Sequence, residues 1–362
     1  MMGSTYMVRR PRQVTAATAA LLAVLLAVLL GEPAAAQGAT VPSGEPARFL
    51  SKYIGLSPSE IDQAKRGEVV TKVLTSSDRD EVALFGIVAV NASRDEVVKS
   101  VRDLPNFLRS PGRTAFGIFS TPAVPADASS FVVDGSDFDA IKGCHPGDCD
   151  VKMPTKNIEA FGKGVDWTSP SARAHVEGMV RHESAVYVNN YRRGGTDAMV
   201  AYGDQKESRS AAEIFKGLLA ESPYLFEYLP TFQSYLETYP NGSLPGVTDA
   251  IYWASDKMGS MRPILSINHV SIYAPPKSPL TLVSAKQLYA SHYFLGAFAL
   301  TTILDRPDAP NGRGVYWIVV QRMRFDHLPG GILNIRGRVI SRTRDGLRLE
   351  LAQRKASFEG PG

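Results

Sequence analysis

The densest unusual chemistry in the chain is the run Lys286-Gln287-Leu288-Tyr289-Ala290-Ser291-His292-Tyr293-Phe294, which interleaves large polar groups with aromatics. Asn268-His269 precedes it and Gln321-Arg322 follows it, each in a β-prone segment. Side chains two apart in a strand share a face, so Lys286, Leu288, Ala290, His292 and Phe294 are expected on one side and Gln287, Tyr289, Ser291 and Tyr293 on the other. Burying an amine or imidazole among apolar groups costs several kcal/mol unless it is paired or watered. Two arrangements meet that cost: a solvated outer face with one satisfied core histidine, or a cavity that holds polar ligand atoms. In the cavity, His292 or His269 is the candidate general base.

Other reactive patterns fail on spacing. There is no Gly-x-Ser-x-Gly, Ser-x-x-Lys, Walker loop or Gly-x-Gly-x-x-Gly. His182-Glu183 opens like a zinc peptidase helix, but Val186 stands where the second histidine belongs, and His175 lacks a third ligand. Asp78-Arg79-Asp80 and Asp137-Phe138-Asp139 lie in turn-like polar surroundings and read as solvated loops. No metal site and no cofactor is expected. The two cysteines stand in Gly143-Cys144-His145-Pro146-Gly147-Asp148-Cys149. A Pro-Gly turn between them favours a local disulfide over a metal site built on Cys144, His145 and Cys149.

A disulfide requires an oxidising compartment, and the N-terminus supplies the address. Arg9, Arg10 and Arg12 precede an uncharged stretch from Val14 to Leu30, and Ala34-Ala35-Ala36 closes it. This is the pattern of a secretory signal peptide over residues 1–36, the rival being an uncleaved anchor. The expected location is therefore periplasmic or secreted. The chain has 362 residues and a formal net charge of +4, half of it carried by Arg9, Arg10, Arg12 and Glu32. So small an excess gives no electrostatic footprint for nucleic acid. With 44% hydrophobic and 21% charged residues, it can bury a core.

Residues 37–68 read as a linker and a short helix opened by the capping box Ser57-Pro58-Ser59-Glu60. Val69–Leu74 and Glu81–Val90 read as strands, the second apolar throughout and so central. Ser93-Arg94-Asp95-Glu96 caps a helix that ends at Pro105, and Thr114–Ser120 is a short strand. Asp150–Met153 is expected to be a strand. From 155 to 245 the period turns helical, with an aromatic-rich stretch at Pro223–Pro240. A helix is expected at Asp249–Met258, a strand at Pro263–Ala274, one bent strand or two at Thr281–Leu304, and a strand at Val315–Val320. Ile332–Ser357 is an amphipathic, arginine-rich terminal helix.

That order of elements, an antiparallel sheet followed by a long terminal helix, resembles the START-like superfamily of lipid-transfer domains and polyketide cyclases. The likeness covers 69–362, with 155–245 as a helical insertion. The segments Cys144–Cys149 and Tyr289–Phe294 read as marks of a secreted bacterial branch. The resemblance implies an α+β helix-grip fold, a curved antiparallel sheet holding the C-terminal helix, with an apolar cavity between them for a lipid or sterol-like molecule. Trp253, His269, Lys286, Leu288, His292, Phe294 and Trp317 are the residues expected to line it. The expected partner is a hydrophobic small molecule or lipid, with transient contact between the basic helix face and a membrane surface, and no nucleic acid. An enzyme in the same cavity, or a structural protein with a filled core, are the alternative functions.

Overall fold

A computed structural model describes residues 48–110, 112–257, 261–275, 277–309, 312–329 and 335–360, without the side chain of Phe226. The proposed signal peptide lies outside them. The helices are α1 (Pro58–Lys65), α2 (Arg94–Arg102), α3 (Leu104–Phe107), α4 (Gly135–Lys142), α5 (Thr155–Gly164), α6 (Ala172–Gly194), α7 (Ala211–Ala220), α8 (Pro223–Tyr228), α9 (Pro230–Thr238) and α10 (Ile335–Glu359). The strands are β1 (Val70–Leu74), β2 (Glu81–Val90), β3 (Arg113–Ile118), β4 (Ala201–Tyr202), β5 (Arg209–Ser210), β6 (Val247–Asp256), β7 (Ile264–Tyr273), β8 (Leu280–Ala290), β9 (Phe294–Asp305) and β10 (Val315–Phe325).

Every residue of β2 is buried, as its unbroken apolar run requires of a strand covered on both faces. It sits inside an eight-stranded antiparallel sheet of order β1-β2-β10-β9-β8-β7-β6-β3. The hairpins from β6 to β10 stack in sequence order, and β10 then returns to pair with β2, Val319 opposite Gly86. A buried ion pair, Arg322 to Glu81 at 2.6 Å, crosses that junction.

Two hydrophobic cores lie on opposite faces. On one, α2, α3 and α10 cover the sheet, with Val97, Val101, Leu347 and Leu351 packed beside Leu84, Val88 and Trp317. The capping box of Ser93 and Glu96 starts α2 where the sequence placed it. α10 rests on β1 and β2 and comes so close that a Cβ on Gly86 would stand 2.5 Å from Leu351 Cδ1. The other face is covered by the segment between β3 and β6, whose Ile158, Val188, Phe215 and Phe232 pack on Ile251, Leu282 and Phe298. This insertion is larger than 155–245, because α4 and the disulfide loop belong to it. Cys144 and Cys149 are joined as expected.

Three elements depart from the sequence reading. Asp249–Met258 is no helix: residues 247–256 form β6, where Ile251 and Trp253 enter one core and Tyr252 and Ala254 the other. A strand buried on both sides shows no alternation, and that hid it. Asp150–Met153 is not a strand; Lys152 donates a single backbone bond to Ser291. Thr281–Leu304 resolves into β8 and β9, turned at Ser291–Tyr293, where Tyr293 adopts φ 62°.

Candidate functional site

The sheet divides the expected cavity residues between its two faces. Trp253, His269, Lys286 and Leu288 point toward the insertion, with His292 in the β8–β9 turn beside it. Phe294 and Trp317 lie on the α10 side, Phe294 against Phe325 at 4.7 Å and Trp317 against Phe358 at 5.0 Å between ring centroids. Strict alternation fails because of a bulge. Ile267 pairs with Tyr289 and Asn268 with Gln287, leaving Leu288 as the extra residue. Leu288 and Tyr289 therefore both enter the insertion core, and the phase expected beyond Lys286 is lost.

His269, 3% exposed, is fixed at both ring nitrogens: Nδ1 lies 2.9 Å from the Tyr191 hydroxyl and Nε2 2.9 Å from Asp249 Oδ1. A ring nitrogen facing a carboxylate carries the hydrogen, so Nε2–H donates to Asp249 and Nδ1 accepts from Tyr191. Burial lowers the imidazole pKa, against the pull of Asp249, and burial also holds the Tyr191 phenol well above its usual range. Tyr235 donates to the other Asp249 oxygen at 2.5 Å. Beneath His269 on the next strand, Lys286 bonds Thr196 Oγ1 at 2.7 Å and sits 3.9 Å over the Phe215 ring. Burial pushes its pKa down to about 7. A catalytic base needs a free nitrogen facing a substrate. Both ring nitrogens of His269 are engaged within the protein, and the cluster ties α6 and α9 to the sheet.

His292 is also buried and bonds Asp137 Oδ1 through Nε2 at 3.0 Å. The reading of Asp137 as a solvated loop residue is thus corrected: it is 8% exposed, on α4. Asp78 and Asp80 are structural as well, pairing with Arg324 and accepting from the Leu328 amide at 2.8 Å. Trp253 donates to the Asp127 carbonyl at 2.9 Å. Among the described residues no group of three or more His, Cys, Asp or Glu is placed to hold a metal ion.

The sheet face under α10 is different. Ala285, Ala297, Ala299, Thr301 and Val319 are only half-buried, although β8, β9 and β10 are each paired on both sides. Register puts them side by side: Ala285 opposite Ala299, Ala299 opposite Gln321, and Thr301 opposite Val319. Around them Val270, Ile303, Trp317 and Met323 are buried. α10 lies to one side, over β1 and β2, and the middle of this face presents half-buried, mostly small side chains. Gln287 and Gln321 flank the floor, and Gln287 Oε1 has no hydrogen-bond partner among the described residues. Alanine at period two in β9, Ala297 and Ala299, is the sequence signal for this floor.

The insertion face holds two small cavities. One, of about 110 Å³, lies among α4, α5, α6 and the ends of β7 and β8, with Asp137, Phe161, Val180, Ile267 and Tyr289 in its wall. The other, about 80 Å³, is an apolar slot beneath Phe49, Tyr224 and Leu229. No family model matches the chain, and neither a curated protein nor a solved structure shows significant similarity to it.

Proposed function

We propose that the protein is exported and binds or transfers a hydrophobic molecule, lipid or sterol-like, in the hollow between the sheet and α10. The observation that carries this reading is the half-buried floor of Ala285, Ala297, Ala299, Thr301 and Val319 in the middle of a sheet whose surroundings are closely packed. Covering such a floor with a ligand is favourable by about 25 cal/mol per Å² of apolar surface, less the cost of ordering the ligand. Gln287 and Gln321 supply the few polar groups that orient one. The antiparallel sheet and long terminal helix are consistent with a helix-grip arrangement, and this supports the reading.

Export fits the Cys144–Cys149 disulfide, and no described helix is long and apolar enough to cross a membrane. N-terminal sequencing of the exported protein is expected to begin at Gln37; a start at Met1 would overturn the cleaved leader. For the ligand, organic extraction of natively purified protein followed by mass spectrometry should return a hydrophobic molecule. Ala299→Trp should fill the floor and lower that yield at least tenfold while far-UV circular dichroism is unchanged. An equal yield from Ala299→Trp, or none from either protein, would sink the proposal.

A further inference from the structure

The cavity on the insertion face is a separate site with its own chemistry. Its floor is apolar, built by Met153, Phe161, Val180, Leu265 and Ile267. Three of the hydroxyls that reach it are already engaged. Tyr289 donates to the Lys152 carbonyl at 2.6 Å, Tyr187 donates to the Leu288 carbonyl at 2.7 Å, and Ser291 Oγ accepts from the Leu265 amide at 3.0 Å. A ligand body resting on that floor meets mostly carbon.

The charged residues in the lining are Asp134, Asp137, Glu183 and Lys156. Lys156 approaches Glu183 at 3.8 Å, but its side chain is 68% exposed, so the pair is screened by water and weak. Asp134 caps its own helix through the Ser136 amide at 2.9 Å. Asp137 is the deep charge. His292 bonds its Oδ1, and Arg262 stands 4.0 Å from that same oxygen; no described group bonds Oδ2. A buried carboxylate in the wall of a largely apolar, partly aromatic cavity, with one oxygen committed, favours a cation with donors to spare.

We propose that this cavity binds a small hydrophobic ammonium ion, its ring or short chain on the apolar floor and its nitrogen against Asp137 and Glu183. The volume of about 110 Å³ suits a body near one aromatic ring, since a dry cavity of about 150 Å³ accepts benzene. An anion of the same shape would face the same carboxylates and be excluded.

Isothermal titration with benzylammonium, benzyl alcohol and benzoate tests this directly. The expected order is ammonium first, at least tenfold tighter than alcohol, and benzoate weakest. Asp137→Asn keeps an oxygen to accept from His292 but loses the charge, so it should bring ammonium affinity down to that of the alcohol. Val180→Phe should abolish binding of all three by filling the floor. If Asp137→Asn fails to fold, Glu183→Gln takes its place and should weaken ammonium binding at least threefold with no effect on the alcohol. Equal affinity for ammonium and alcohol, preference for benzoate, no binding by the unaltered protein, or ammonium binding that survives Val180→Phe would each overturn the proposal. Ala299→Trp, across the sheet, should leave ammonium binding unchanged, which separates this site from the lipid hollow.

Discussion

Lys286 occupies a position that composition alone could not assign. Its run of polar and aromatic residues was visible in the sequence, and so was the choice between a solvated face and a polar interior. The partners that decide the choice were not: Thr196 is 90 residues away, Tyr191 is 78 from His269, and Asp137 is 155 from His292. Because burial brings the folded pKa to about 7 from the ordinary lysine value of 10.5, the unfolded chain binds more protons between those pH values. Stability therefore rises with pH through that window, and the penalty is largest below about 7. Lys286→Met should remove this slope and be the more stable protein near pH 7, by a few kcal/mol at most because Thr196 loses its partner. Urea unfolding of both proteins at pH 7 and pH 9.5 checks it; a gap that widens as pH rises would contradict the sign.

Among elements, those governed by local signals were read correctly. The capping boxes at Ser57 and Ser93 depend on residues three apart and so can be seen in a short window. β6 and the bulge at Leu288 depend on neighbours elsewhere in the chain, which a short window does not contain. The contact of α10 with β2 belongs to the same class, because Gly86 reads as a mild weakness in a strand until Leu351 is seen above it. Gly86→Val should push the helix off its seat and cost about 2 to 3 kcal/mol, as overpacking does. Chemical denaturation measures the loss, and lipid extraction should fall with it. Unchanged stability would mean that α10 is held without this contact. By comparison, Ser93→Ala should cost only about 1 kcal/mol.

For the whole molecule, the fold class and the sheet-and-terminal-helix layout were legible from element order. The distribution of the site was not, since the sequence gives no face to a residue whose strand phase slips. One sheet serves two different coverings: a helical insertion tied to it by buried polar groups, and a terminal helix that leaves the middle of its face half-buried. The disulfide loop lies at the margin of the insertion, with both cysteines buried. Replacing Cys144 and Cys149 by serine should lower stability by about 2 kcal/mol, a small value because the closed loop is short. Thermal unfolding in the presence and absence of reductant checks this; no effect of reductant on the unaltered protein would mean that the bridge is cut off from solvent rather than unimportant.

The seam between β2 and β10 sets a timetable for maturation. Residues 83–87 pair early with β1, but the other edge of β2 finds its partner only in residues 315–324, and the Glu81–Arg322 bond that locks that seam spans 241 positions. On the proposed export route, a chain threaded through a membrane from its N-terminus delivers β2 early and β10 almost last. For that interval one edge of β2, apolar from Val82 to Val90, waits unpaired, at risk of clumping with its neighbours. Shielding by a holding chaperone on the far side would be most useful during that wait, and truncation before 315 should leave an insoluble product.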